Sequence, residues 1–151
     1  MLTEVLAAIA VVAVGLAALA SSVPVAATAA SEGARVSTAA FLAAARLEEV
    51  RSAAWSERPP VDRLGVSSGP LTAPQSGGAI TFADENALAD PFGGYSRQVR
   101  ILDCGQPPGC GSILSPLLRQ VTVTVAYRPV TASGVAALDK AVSLTTLVAR
   151  R

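Results

Sequence analysis

Few residue types in this chain of 151 residues can carry covalent or acid–base chemistry. There is no histidine. That removes the commonest general base, the commonest zinc ligand and every Ser-His or Cys-His nucleophile pair. Ser, Asp and Glu are present, but they are spread over turns and one helical face with no base beside them, so the pattern points away from an enzyme. Two cysteines, Cys104 and Cys110, flank "GQPPG". Their spacing is wrong for a C-x-x-C redox motif. Two Pro and two Gly between them predict a tight turn, and outside the cytoplasm the default for such a pair is a disulfide, whereas in the cytosol it would be two free thiols. Two Cys without His make a zinc site unexpected. "SGG" and "PFGG" lack the Gly-Lys-Ser/Thr ending of a phosphate loop and are expected to be turns. No cofactor and no metal are implied.

The remaining chemically distinctive residue is Glu4. It opens "MLTEVLAAIAVVAVGLAALASSVPVAATAA", and the next charged residue is Glu32. A helix of about 20 apolar residues crosses a bilayer core, so residues 1–30 are long enough to span one. A plain anchor usually has Lys or Arg at its ends. A secretory signal peptide wants a basic start, a short apolar run and a site such as Ala27-Thr28-Ala29; here an acid stands where the base belongs and the run is too long.

Net charge is +1, with eleven Arg, one Lys and no basic run, which gives no reason to invoke nucleic acid. The length suits about one domain. Ala-rich sequence predicts that the helix continues beyond the apolar run to about residue 57. Pro24 is expected to kink it, because a proline leaves the carbonyl four residues back without its partner. Val36, Ala40, Ala43, Leu47, Val50 and Ala54 recur at spacings of three and four and predict a buried stripe. Arg46, Glu48, Glu49 and Arg51 fall off that stripe and read as a solvated face. Pro59 and Pro60 are expected to end the helix, and residues 58–78, rich in Pro, Gly and Ser, to form a surface loop. Strands are expected in "GGAITFAD", "YSRQVRIL", "RQVTVTVAYR" and "AVSLTTLVA"; the third alternates most cleanly, with Val121, Val123, Val125 and Tyr127 on one side. One long helix followed by strands predicts an α+β fold, with a small antiparallel sheet in residues 79–151 packed on the helix.

"LTEVLAAIAVVAVGLAALA" resembles the prepilin-type start of type IV pilins and type II secretion pseudopilins. That family reads Phe-Thr-Leu-x-Glu-Val-Leu before an apolar helix. Gly15-Leu16 within "AVVAVGLAAL" is similar to the minor pilins of the pilus-modification group. The resemblance covers about residues 2–20, is looser through "FLAAARLEEVRSAAW", and is architectural beyond. It implies a pilin-like fold. Residues 1–30 would form the membrane and filament-core half of a helix whose other half, 31–57, lies outside the cytoplasm. It also implies a structural role in a pilus, a secretion pseudopilus or a DNA-uptake fibre. Glu4 would pair with the terminal amine of a neighbouring subunit. Partners would be other subunits, an inner-membrane assembly platform, lipid and, if an upstream leader exists, a prepilin peptidase. The family's acid is the fifth mature residue and Glu4 is the fourth here: either the true start lies upstream of Met1, or this copy is not processed. The competing expectation is a single-pass inner-membrane protein whose extracytoplasmic β-domain binds a partner without polymerising.

Overall fold

The computed structural model describes residues 2–130 and 139–151. Helix α1 spans Leu2–Ser52 and runs through Pro24 as one element, which at 1.5 Å per residue makes it roughly 77 Å long. Among the described residues seven strands follow. Trp55–Ser56 (β1) pairs with Val61–Asp62 (β2), and Gln75–Ser76 (β3) pairs with Ala79–Ile80 (β4). The main sheet has the order β5-β6-β7, formed antiparallel by Tyr95–Asp103, Leu118–Tyr127 and Lys140–Ala149. The architecture is α+β, and all four expected strands are present.

The two halves of α1 have different fates. Residues 2–31 are exposed wherever their burial is described, with Val11 at 72% and Leu2 at 79%. From Glu32 onward one side packs on the sheet. Ala39, Leu42, Ala43 and Val50 meet Val99 and Ile101 of β5 and Val121, Val123, Val125 and Tyr127 of β6 in one core. Alternation along β6 places every second side chain on that face, as the pleat of a strand requires. Leu47 packs at the margin with Val142, Leu144 and Val148 of β7. The stripe therefore sits slightly differently from its expected phase: Val36 and Ala54 are exposed, while Ala39 and Leu42 are buried.

Two expected boundaries are corrected. α1 ends at Ser52, not at residue 57, because Trp55 is buried in the core and its backbone belongs to β1. Burying a Trp removes more apolar area from water than another helical turn of exposed Ala and Ser would. Residues 58–78 are also not a free surface loop. They contain β2 and β3 and bury Leu64 and Pro74 completely, so the sheet-bearing domain begins near Trp55 and not at 79. Gly65 shows how tightly this segment lies: its φ is +72°, and a Cβ there would stand 2.8 Å from the Gln75 carbonyl carbon.

Arginines fasten this segment to the sheet. Arg119 of β6 grips both oxygens of Asp62 at 2.7 and 2.9 Å while its guanidinium lies 4.3 Å over the Trp55 ring. Arg100 of β5 holds Asp84 at 2.6 and 2.8 Å, and Arg97 holds Glu85 at 2.6 Å. Planar forks of this kind fix orientation as well as charge. Arg46 belongs with them. Assigned by spacing to a solvated face, it is 13% exposed, paired with Glu49 at 2.6 Å and poised 5.3 Å over Phe82, because its long apolar stem can lie along the core while the head stays polar. Glu48 and Arg51 do form an exposed pair, at 2.8 Å.

Candidate functional site

The features that distinguish the molecule are spread along α1 and meet the sheet at one junction. Glu4 stands in the first turn of α1 and is exposed; the helix N-terminus is where the macrodipole favours a carboxylate. Behind it the helix is long and apolar enough to cross a membrane, with a mean hydropathy of 2.4 over its most apolar window. Three hydroxyls near the end of this stretch are satisfied by the helix itself: Ser22 donates to Leu19, Thr28 to Val25 and Ser31 to Ala27, each at 2.8–2.9 Å. Such back-bonding lets Ser and Thr tolerate a surrounding without water. Pro24 lies amid these residues, and the Ala20 carbonyl loses its helical donor there.

The junction is built around Glu32. One carboxylate oxygen accepts from the Tyr127 hydroxyl at 3.1 Å and from the Lys140 ammonium at 2.7 Å; the other accepts from the Val130 amide at 3.1 Å. One turn further on, Arg35 donates to the Arg128 carbonyl. Glu32 thus ties the helix to the end of β6, the residues after it and the start of β7 at the place where the exposed half of α1 begins. The Lys140 ammonium, then the Val130 amide, hold the Glu32 carboxyl below the usual carboxylate range against the opposing effect of burial. Glu32 in turn raises Lys140 above its ordinary value. Burial first, and then the bond to Glu32, pushes the Tyr127 hydroxyl up.

Sequence reasoning passed over Glu32 except as the next charge after Glu4. A signal was available. Glu32 is seven residues before Ala39 and eleven before Ala43, which puts it on the buried stripe, where a solvated charge would not stand. It could not be paired from sequence, because its partners lie 95 to 108 residues away.

Cys104 and Cys110 form a disulfide, with Cα atoms 5.0 Å apart and both residues buried. The turn between them depends on Gly109, whose φ is +76° and whose absent Cβ would otherwise stand 2.4 Å from the Ile113 oxygen. Cys110 and Ile113 exchange backbone hydrogen bonds at 2.9 and 3.0 Å, and Cys104 bonds to Leu118 and Ser115. The bridge therefore fastens the β5–β6 connection.

Among the described residues no three His, Cys, Asp or Glu side chains are placed to hold a metal. The structure does not bring Glu4, Pro24 and the cysteines together: the first two lie on the projecting half of α1 and the disulfide at the β5–β6 turn. No protein-family model matches this chain, and neither does any curated protein or solved structure.

Proposed function

We propose that this chain is a non-enzymatic structural subunit, of the minor pilin or pseudopilin kind, of a type IV pilus or type II secretion-like filament. In this reading residues 1–30 hold it in the inner membrane before assembly, with the N-terminus on the cytoplasmic side and the sheet domain outside. The observation that carries the reading is the division of α1: an apolar half with Glu4 in its first turn, exposed at every residue whose burial is described, continuous with a half packed on a disulfide-bonded antiparallel sheet. The likeness of residues 2–20 to a prepilin-type start supports it.

A charge at the bilayer centre costs about 2.5 to 3.5 kcal/mol on insertion scales, and less near the edge where Glu4 would lie. Inside an apolar bundle the carboxylate would face a neighbour's terminal amine. The low dielectric there strengthens the attraction and raises the desolvation cost together, so the pair sets axial register more than net stability. The surrounding Ala, Val and Leu provide the non-directional burial. Partners follow from this: other subunits through α1, an assembly platform and, with an upstream leader, a prepilin peptidase.

The test is Glu4→Ala, measured as the ratio of protein in sheared filaments to protein in membranes. Membrane insertion is expected to be kept and filament incorporation lost, with Glu4→Asp between. Equal incorporation of Glu4→Ala and wild type refutes the pairing. Absence of the wild type from every filament fraction turns the reading to a single-pass membrane protein whose β-domain binds a partner.

A further inference from the structure

The two edges of the main sheet are treated differently. The β5 edge is covered: Glu85 and Arg97 exchange backbone bonds at 2.8 and 2.9 Å, Leu88 donates to the Tyr95 carbonyl at 3.0 Å, and Ser67 donates to the Ile101 carbonyl at 2.8 Å. The β7 edge has no such cover among the described residues. Its register to β6 runs unbroken from Lys140 to Ala149, with no bulge, and from Ala141 to Ala149 it has no charge and no proline. Natural sheets usually blunt an exposed edge with one of these devices.

The direction of the free groups can be read from the end of the strand. Arg150 donates to Leu117, beside β6, at 2.9 Å; Arg151 donates to Trp55, on the other side, at 3.0 Å. Antiparallel pairing alternates along the strand. The outward N–H and C=O groups therefore belong to Ala141, Ser143, Thr145, Leu147 and Ala149. At Arg151 the edge already carries added backbone, since Glu57 also donates to the Arg151 carbonyl at 3.2 Å. Next to it lies a groove of about 420 Å³ between α1 and β7, lined by Glu48, Arg51, Leu147, Val148, Ala149 and Arg151.

A second copy of this chain does not suit the edge. α1 runs in the same direction as β7, since Glu32 meets its start at Lys140 and Arg51 lies by its end. Antiparallel β7–β7 pairing would point the two apolar halves of α1 in opposite directions, which two chains spanning one membrane cannot do. Parallel pairing, which the alternation of outward groups allows only at an offset of one residue or another odd number, would near register crowd the two Lys140 ends together and the two Arg150–Arg151 ends together, and like charges brought close are destabilising.

We infer that the β7 edge is a docking site for an extended segment of a different protein, which adds antiparallel to β7 as a fourth strand. The segment is uncharged through its middle, and it carries an acidic residue near its N-terminal end, where Arg151 lines the groove beside the Glu48–Arg51 pair. Main-chain bonds supply affinity in strand addition, and alternate side chains supply specificity.

The probe is a labelled peptide copying residues 119–127 with Arg119→Asp, titrated onto the full chain in lipid nanodiscs. Saturable binding is expected, with slowed amide exchange at Ala141, Ser143, Thr145, Leu147 and Ala149. Thr145→Pro removes an outward N–H without touching the β6 ladder and is expected to weaken binding roughly tenfold or more, whereas Thr145→Val keeps it. Arg151→Glu should weaken binding, and a peptide with Lys in place of the Asp should restore it; this charge swap decides the matter if Thr145→Pro does not fold. No binding to the wild type overturns the proposal, as does equal binding by a folded Thr145→Pro. Protection of the same amides without peptide, in discs holding two chains, makes a second copy the occupant and overturns it too. The exclusion of a second copy rests on a shared membrane; the Glu4→Ala result bears on the filament reading and leaves the edge untouched.

Discussion

One helix in this protein lives two lives. The half of α1 up to Ser31 is apolar on all sides and exposed wherever its burial is described; the half from Glu32 to Ser52 has one buried stripe and one polar flank. The backbone is the same in both, and Ala is plentiful in both. The difference is in where the apolar side chains stand. When they cover the whole circumference, no single protein face can bury them and the surrounding must be lipid or other helices. When they occupy one stripe, a sheet of matching length suffices. The match is close: from Glu32 to Arg51 the helix advances roughly 29 Å, and β7, with ten residues, extends about 30 Å.

The largest expected effect comes from separating the halves. A chain beginning at Ser31 should move from the membrane fraction to the soluble fraction and keep the Cys104–Cys110 bridge, as read by fractionation and by thiol labelling before and after reduction. A truncated chain that stays with the membrane would show that the sheet domain itself binds there, and the comparison would break.

A smaller effect is expected from the disulfide. Replacing both Cys104 and Cys110 by Ser should lower the stability of the sheet domain by about 2 kcal/mol, the chain-entropy figure for so short a loop. The loss should show in denaturant unfolding, with membrane association unchanged. A shift in membrane association would mean that the two halves are coupled beyond the junction.

The smallest effect is expected at the junction and should depend on pH. Glu32 is held below its ordinary range, so the stability it lends is present above that range and fades as pH falls through its lowered value. Lys140 is raised, so its share is complete below the ordinary lysine range and is lost as pH rises through its elevated value. Glu32→Gln should flatten the acid limb of the stability profile and trim the alkaline limb. Thermal melts of the full chain between those limits measure this; an unchanged acid limb would show that Glu32 does not tie the helix to the sheet.

What could be read in the sequence follows from the same division. Periodicity is a local signal, so the long helix, the four expected strands and the inward face of β6 were legible. The end of α1 was not, because Trp55 stops the helix by being drawn into a core made by residues far along the chain. Arg46, Arg97, Arg100 and Arg119 looked like scattered charge; each holds a carboxylate, three of them fixing parts of the 53–94 stretch to the sheet, and that pairing is a property of the fold. Cys104 and Cys110 were legible because their partners are each other. The openness of the β7 edge could not be read at all, since it depends on which strand lies outermost.

The parallel run of α1 and β7 also settles how tension would pass through the molecule. A pull along the projecting half of α1 is directed along the axis of the strands. Peeling would break contacts one at a time, but this pull asks the helix to slide along the sheet and strains Val50, Leu42, Ala39 and the Glu32 bonds together. With Lys140, Tyr127 and Val130 gathered on Glu32 where the covered half begins, the first bonds to feel the load lie closest to its source.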